Sequence, residues 1–376
     1  MYETIMVTIY GIAALIKNKI LAIIVLLSGI IYLLLNNYFN INILQSIDIN
    51  SLMVLFSTYG LSKIFIKTNL LNYLINLIVE RVTTYKKLII SLCVLTFIVS
   101  GMVNNYVLIT FLIPYIEEII KRNNVKSKLL MESIIVSSIL GSMSTLIGST
   151  ENIIISSYLK MNFLDFFFYD SRIGIYIIFL ALFFIELFIV SLSIKDEEFM
   201  GNAVEIQVKD KFNIYLFLVM IFLLIVSSVL KIKYLSGILT LLCLLVGIYK
   251  NKKIEKVDFT SIFLYALMFI YISLFKEMNF ISSLPLYVSS GSLIYTIFFI
   301  VSLVLSLIFN PIFVFYFICL FIPNIVFNTT LTSMPLIYIT YFGLLLGLFK
   351  DKKINNYQII VCVLLCSYLI VAFLYF

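Results

Sequence analysis

Two mainly apolar stretches have lengths that fit neither one crossing of a lipid bilayer nor two. Residues 88–120 number 33, and residues 291–327 number 37. One crossing needs about 20 apolar residues, and two crossings with a turn need about 45. A re-entrant helical hairpin, which enters and leaves the membrane on the same side, resolves this conflict. We therefore predict two hairpins, which turn where Asn104 and Asn105 interrupt the first stretch and where Asn310 interrupts the second.

The composition makes lipid the solvent around most of this chain. Of its 376 residues, 63% are hydrophobic and 12% are charged, whereas about 25% are charged in soluble domains. The apolar runs are continuous rather than alternating, which argues against a β-barrel. The longest polar stretch, residues 195–211, is too short for a core of its own and is interpreted as a cytoplasmic linker. The predicted fold is an all-α polytopic membrane protein with about ten transmembrane helices and the two hairpins.

A third stretch, residues 129–159, is also too long for one simple span. It is interrupted by "GSMSTLIGSTEN", residues 141–152, which places hydroxyl, amide and carboxyl groups at mid-membrane. Non-helical backbone at that depth must be buried in protein or line a wet cavity. We predict a discontinuous helix that is unwound near Gly148–Asn152.

The two hairpins suggest two repeats, over residues 1–194 and over a shortened 212–376. Placing the basic loop 121–128 in the cytoplasm puts 21 of the 26 Lys and Arg residues on that side, as the positive-inside rule requires. The hairpins at 88–120 and 291–327 then open to opposite sides. The predicted repeats are therefore inverted relative to each other.

Residue usage removes several kinds of chemistry. The chain has no His, which excludes a Ser–His–Asp triad and a His-ligated metal. The five Cys lie in apolar segments without a CxxC motif and are interpreted as small buried side chains. The formal charge of +7 resides largely in short loops, where it indicates orientation in a membrane rather than binding of nucleic acid. We predict no enzyme and no cofactor.

Two motifs carry a family resemblance. "SGMVNNYVLITFLIP" (residues 100–114) resembles the hairpin motif of the ion transporter superfamily, which includes arsenite-type permeases, citrate transporters, sodium–dicarboxylate symporters and one class of sodium/proton antiporter. "GSMSTLIGSTENIII" resembles its companion motif, at positions Gly141, Thr145, Ile147, Gly148, Thr150 and Asn152. Thr150 stands where the family has Pro, and an acid, Glu151, follows it. No second companion motif follows Asn310, which leaves the family's second ion site and the coupling stoichiometry open.

The resemblance implies a secondary active transporter of a small anion, an organic acid or an oxyanion, coupled to Na⁺ or H⁺ and working by alternating access. Half-helix N-termini attract anions, and carbonyl and side-chain oxygens at helix breaks coordinate small cations. The predicted binding residues are Ser100, Asn104, Asn105, Thr145, Gly148, Ser149, Glu151, Asn152 and Asn310. We expect a multi-pass protein of a bacterial plasma membrane. The Gly343-x-x-x-Gly347 spacing is found in helix pairs, so a homodimer is one expected assembly.

Several alternatives stay open at this point. A sodium/proton antiporter of the same superfamily would place Glu151 at its centre. A membrane-embedded glycan polymerase or acyltransferase and a non-transporting homologue are further candidates. Glu186, inside the apolar segment 173–194, is a second intramembrane acid, ranked below Glu151. The amide and hydroxyl residues could also serve structure alone, because Asn caps buried turns and Ser or Thr bonds to its own helix.

Overall fold

The computed structural model describes most of the first three quarters of the chain. The described residues are 2–16, 18–35, 48–123, 127–159, 161–169, 172–202, 204, 206–251 and 259–277, with short pieces at 301, 304–305, 308–309 and 313–314. The second predicted hairpin falls almost entirely outside them, and Asn310 lies outside the described residues.

The described residues are helical almost throughout, which confirms the all-α fold class. The helices are α1 (Tyr2–Leu15), α2 (Lys19–Leu35), α3 (Ile49–Ile66), α4 (Leu70–Arg81), α5 (Tyr85–Met102), α6 (Asn105–Asn123), α7 (Ser127–Ser144), α8 (Thr150–Leu159), α9 (Ile175–Ser193), α10 (Lys211–Leu230), α11 (Leu235–Asn251) and α12 (Phe259–Glu277). Between α8 and α9 lie one turn of 3₁₀ helix, Leu164–Phe166, and a two-stranded antiparallel ribbon, β1 (Phe168–Tyr169) with β2 (Arg172–Ile173).

Four of these helices, α3, α5, α9 and α10, are long and apolar enough to cross a membrane. Shorter apolar helices lie within α1, α2, α7 and α11. The chain is thus a multi-pass membrane protein. The inverted repeats, the total of about ten spans and the re-entrant path of residues 88–120 remain predictions.

The helices divide between two compact units. One contains α1, α2 and α12, in which the Tyr271 hydroxyl donates to the Leu26 carbonyl at 2.8 Å. In the same unit the Tyr10 hydroxyl donates to the Phe313 carbonyl at 3.0 Å. The other unit contains α3 to α11 and holds every described residue of the predicted site.

Helix α7 is the centre of the second unit, where it packs against both α5 and α9. Its sequence places small residues at Ser133, Ser137 and Gly141, a four-residue spacing that lets neighbouring helices approach closely in a membrane. A Cβ atom built on Gly141 would overlap the backbone of Phe97 in α5. Helix α5 therefore lies against the glycine itself.

Candidate functional site

Two helix interruptions meet within the second unit. The first separates α5 from α6 at Val103–Asn104, and the second separates α7 from α8 at residues 145–149. The backbone N–H of Asn105 donates to the carbonyl of Gly148 at 2.8 Å. The Thr145 hydroxyl donates to the carbonyl of Gly101. We call the region formed by residues 100–105 and 141–152 the crossover site.

The first interruption lies where the sequence predicts it. Val103 adopts an extended conformation (φ −107°, ψ 140°), and its N–H donates to the carbonyl of Val99, which closes α5. The next N–H, that of Asn104, donates to the Ser62 hydroxyl of α3 at 3.1 Å. Helix α3 thereby satisfies the backbone donor that the break leaves free.

The Asn104 side chain contributes a buried polar atom that lacks a hydrogen-bond partner among the described residues. The residue is only 2% exposed, and its Oδ1 atom has no hydrogen-bond partner in the described structure. An unpaired buried amide oxygen is costly, because it has lost its water without gaining a donor. Such an oxygen is suited to coordinating a small cation.

The second interruption begins earlier than the sequence predicts. Thr150 to Asn152, which we expected to be unwound, form the first turn of α8, and the unwound residues are 145–149. The reason is a helix cap, because the Ser149 hydroxyl accepts the N–H of Asn152 at 3.1 Å. A Ser placed three residues before the bonded N–H is an ordinary N-cap.

The Asn152 side chain holds the unwound loop to the end of α7. Its Nδ2 donates to the carbonyl of Thr145 at 2.7 Å, to that of Met143 at 2.9 Å and to that of Ser142 at 3.3 Å. These carbonyls belong to the last turn of α7 and the first unwound residue, which have lost their helical partners. One amide group therefore caps α7 from within α8.

Gly148 allows the two interruptions to touch. A Cβ atom at this position would lie 2.7 Å from the carbonyl oxygen of Ser100, which is too close for any side chain. Because the obstructing atom belongs to the backbone, it cannot move aside at low cost. The Gly148 position predicted from the motif thus has a steric reason.

Two hydroxyl residues that hydrogen-bond to the crossover site were not predicted from the sequence. Ser138 of α7 donates to Asn105 Oδ1 at 2.7 Å, and its backbone carbonyl accepts the hydroxyl of Ser100. Ser62 of α3 receives the Asn104 N–H. Both belong to runs of small polar residues inside apolar helices, but nothing local distinguishes them from other buried serines.

The structure brings together seven of the nine predicted residues, and two fall outside what it describes. Helix α8 includes Glu151 in its first turn, but the side chain of Glu151 lies outside the described structure, as does Asn310. The seven that meet are Ser100, Asn104, Asn105, Thr145, Gly148, Ser149 and Asn152. No group of three His, Cys, Asp or Glu side chains suited to a metal ion occurs among the described residues.

The described side chains of the site are therefore neutral hydroxyl and amide groups at the ends of four helices. Interrupted helices that meet inside an apolar bundle are the construction typical of secondary transporters. A family model described as "Citrate transporter" matches residues 6–343, so the chain belongs to the citrate transporter family, within the ion transporter superfamily that its two motifs resemble. The members of that family are transporters rather than enzymes. No match is found among curated proteins.

Proposed function

We propose that the chain is a secondary active transporter that moves a small anion, an organic acid such as citrate or an oxyanion, together with a coupling cation or proton. Alternating access would carry the crossover site between the two faces of a bacterial plasma membrane. The proposal rests on the family and on the physical character of the crossover site. Its partners would be the small anion, the membrane lipid and, in a homodimer, a second copy of the chain.

The Asn104 amide oxygen is the observation that carries the proposal. It is buried at a helix break and has no hydrogen-bond partner among the described residues, so it has the properties of a cation ligand. A buried polar atom without a partner lowers stability, and a bound cation would remove that penalty. Helix α5 ends at the same break, and the partial negative charge of a helix C-terminus favours a cation there.

The absence of positive side chains at the described crossover site supports coupled binding. A polycarboxylate entering an apolar bundle alone would leave its charge poorly compensated. Helix N-termini contribute about half a positive charge each, which is less than such an anion carries. A cation that binds with the anion would supply the remaining compensation, which makes cotransport the physically favoured arrangement.

The test is transport by the full-length chain in liposomes with imposed Na⁺ or H⁺ gradients. We expect gradient-driven uptake of citrate or of another member of a panel of small carboxylates and oxyanions. Asn104→Ala should weaken the apparent affinity for the coupling cation about 10- to 100-fold, since a ligand to a charged group contributes about 1.5–3 kcal/mol.

The matched control is Asn213→Ala. Asn213 is also buried, but its amide is paired with Asn251 in α11 at 3.1 Å. This variant should lower stability and leave the cation dependence unchanged. Equal loss of cation affinity in both variants would contradict a specific role for Asn104. Sodium/proton exchange without any anion flux would instead favour the antiporter.

A further inference from the structure

Helix α9 carries an acid on its inward face. Its buried positions follow the helical repeat, and they are Ile175, Ile178, Phe179, Leu182, Phe183, Glu186 and Val190. Glu186 is 0% exposed and occupies a position that the pattern reserves for apolar side chains. An acid at such a place inside a membrane span is costly and needs a reason.

The carboxyl group of Glu186 is only half satisfied. The hydroxyl of Ser137 in α7 donates to Oε1 at 2.9 Å. The other oxygen, Oε2, has no hydrogen-bond partner in the described structure. Cys93, on α5, is buried, forms no disulfide and lies close to the same Ser137 and to Glu186. Three helices thus enclose one carboxyl group with a free oxygen.

No described positive charge compensates Glu186. Helices α5 and α7 pack against α9, and the titratable groups nearest to Glu186 on them are Cys93 and Glu132. Glu132 precedes Ser137 by five positions in α7, which separates the two residues by about 7.5 Å along the helix axis. A buried ion without a counter-charge is unfavourable. A metal ion would need several oxygen ligands, whereas Ser137 is the one described side chain that hydrogen-bonds to the carboxyl. A single proton on Oε2 removes the charge and needs no further ligand.

Glu186 is connected to the crossover site through one turn of α7. Ser137 and Ser138 are consecutive, so their side chains point about 100° apart on the helix. Ser137 bonds to Glu186, and Ser138 bonds to Asn105 and approaches Ser100 Oγ at 3.1 Å. Protonation or deprotonation of the Glu186 carboxyl therefore acts on the turn of α7 that also bonds to Asn105 at the first interruption.

An aromatic pair fixes the geometry between α5 and α9. Phe97 and Phe183 stack with ring centroids 4.2 Å apart and an interplanar angle of 21°. Each ring lies three residues before a key position, Ser100 in α5 and Glu186 in α9. The stack therefore holds the acid beside the helix that ends at the crossover site.

We propose that Glu186 is the proton-carrying residue of this transporter, loaded and unloaded once per cycle and linked through Ser137 and Ser138 to the crossover site. The carboxyl takes one proton from water on one side of the membrane and releases one proton to water on the other. The inference rests on the proposed function, because the proton would drive the anion.

The experiment compares the full-length wild type with Glu186→Gln and, as a matched buried acid on the neighbouring helix, Glu132→Gln. Infrared spectra recorded between pH 5 and pH 9 report the C=O stretch of a protonated carboxyl. Proteoliposomes report citrate exchange without a gradient and citrate accumulation driven by a proton gradient. We expect Glu186→Gln to lose the pH-dependent band and at least about tenfold of the driven accumulation, while exchange continues. Glu132→Gln should keep both.

A Glu186→Gln variant that keeps the pH-dependent band or the full driven accumulation would overturn the proposal. Loss of the band in Glu186→Gln together with no anion flux in the wild type would support the proton site and refute the transport function. If Glu186→Gln does not fold, Ser137→Ala decides, because removal of its bond to Oε1 must shift the frequency of the band. An unchanged frequency would also overturn the proposal.

Discussion

Replacement of Asn152 by Ala should both destabilise the protein and disorder the crossover site. The side chain is 2% exposed and donates two bonds shorter than 3.0 Å, to the carbonyls of Thr145 and Met143. Truncation leaves both carbonyls buried without donors, in a place where helix α7 has already ended. The carbonyl of Ser142, which receives the third and longer contact, loses less.

The magnitude follows from the two strong bonds. Each buried carbonyl left without a partner costs about 1–3 kcal/mol, so the total is about 2–5 kcal/mol after partial relaxation. For a chain of this size, 1 kcal/mol corresponds to about 2 °C in melting temperature. We expect Asn152→Ala to melt about 4–10 °C below the wild type and to lose anion uptake, since the loop that carries Gly148 is released.

Thermal unfolding in detergent, monitored by far-UV circular dichroism, measures this difference in melting temperature. The control is Asn18→Ala. Asn18 is exposed, and its Oδ1 accepts the N–H of Ile20 at 3.0 Å at the start of α2, so loss of this ordinary N-cap should cost about 1 kcal/mol. If Asn152→Ala melts no lower than Asn18→Ala, the capping role argued for this amide is refuted.

Two further substitutions test neighbouring positions. Gly148→Ala should lower the melting temperature and abolish anion uptake, because its Cβ would meet the backbone of Ser100. The control is Gly11→Ala, which should behave as wild type because its new Cβ would meet nothing within 4 Å. Equal melting temperatures for the two variants would contradict the steric argument. Glu151→Gln should alter the pH or cation dependence of uptake, measured in liposomes across pH, and an unchanged dependence would reject a role for this acid.

The sequence predicts the first interruption well because the signal is local. Asn104 and Asn105 are polar amides in the middle of an apolar stretch whose length does not match the bilayer, and the helix ends there. The second interruption is predicted in the same way, from the length of residues 129–159 and the polar run within them, and the family that the motifs resemble is confirmed. These inferences depend only on length, residue type and spacing, which the sequence contains in full.

Other features depend on contacts between distant segments. The second interruption lies at residues 145–149 rather than at the predicted Gly148–Asn152, because Ser149 and Asn152 act as helix caps. The residue type alone does not distinguish a capping side chain from one that binds a ligand. Ser62 and Ser138 contact the crossover site because the packing of α3 and α7 places them beside it. A serine in an apolar helix is more often bonded to its own backbone, as Ser57 is.

The hydrogen bonds that join the two interruptions have a consequence for exchange with heavy water. The backbone N–H of Asn105 donates to the Gly148 carbonyl, and the Thr145 hydroxyl donates to the Gly101 carbonyl. Separation of the two interruptions would therefore break both hydrogen bonds and expose polar groups of both interruptions at the same time. Local opening events of this kind occur as cooperative units. The backbone amides flanking both breaks should accordingly deuterate together, with one common opening free energy, rather than as two independently fraying helix ends.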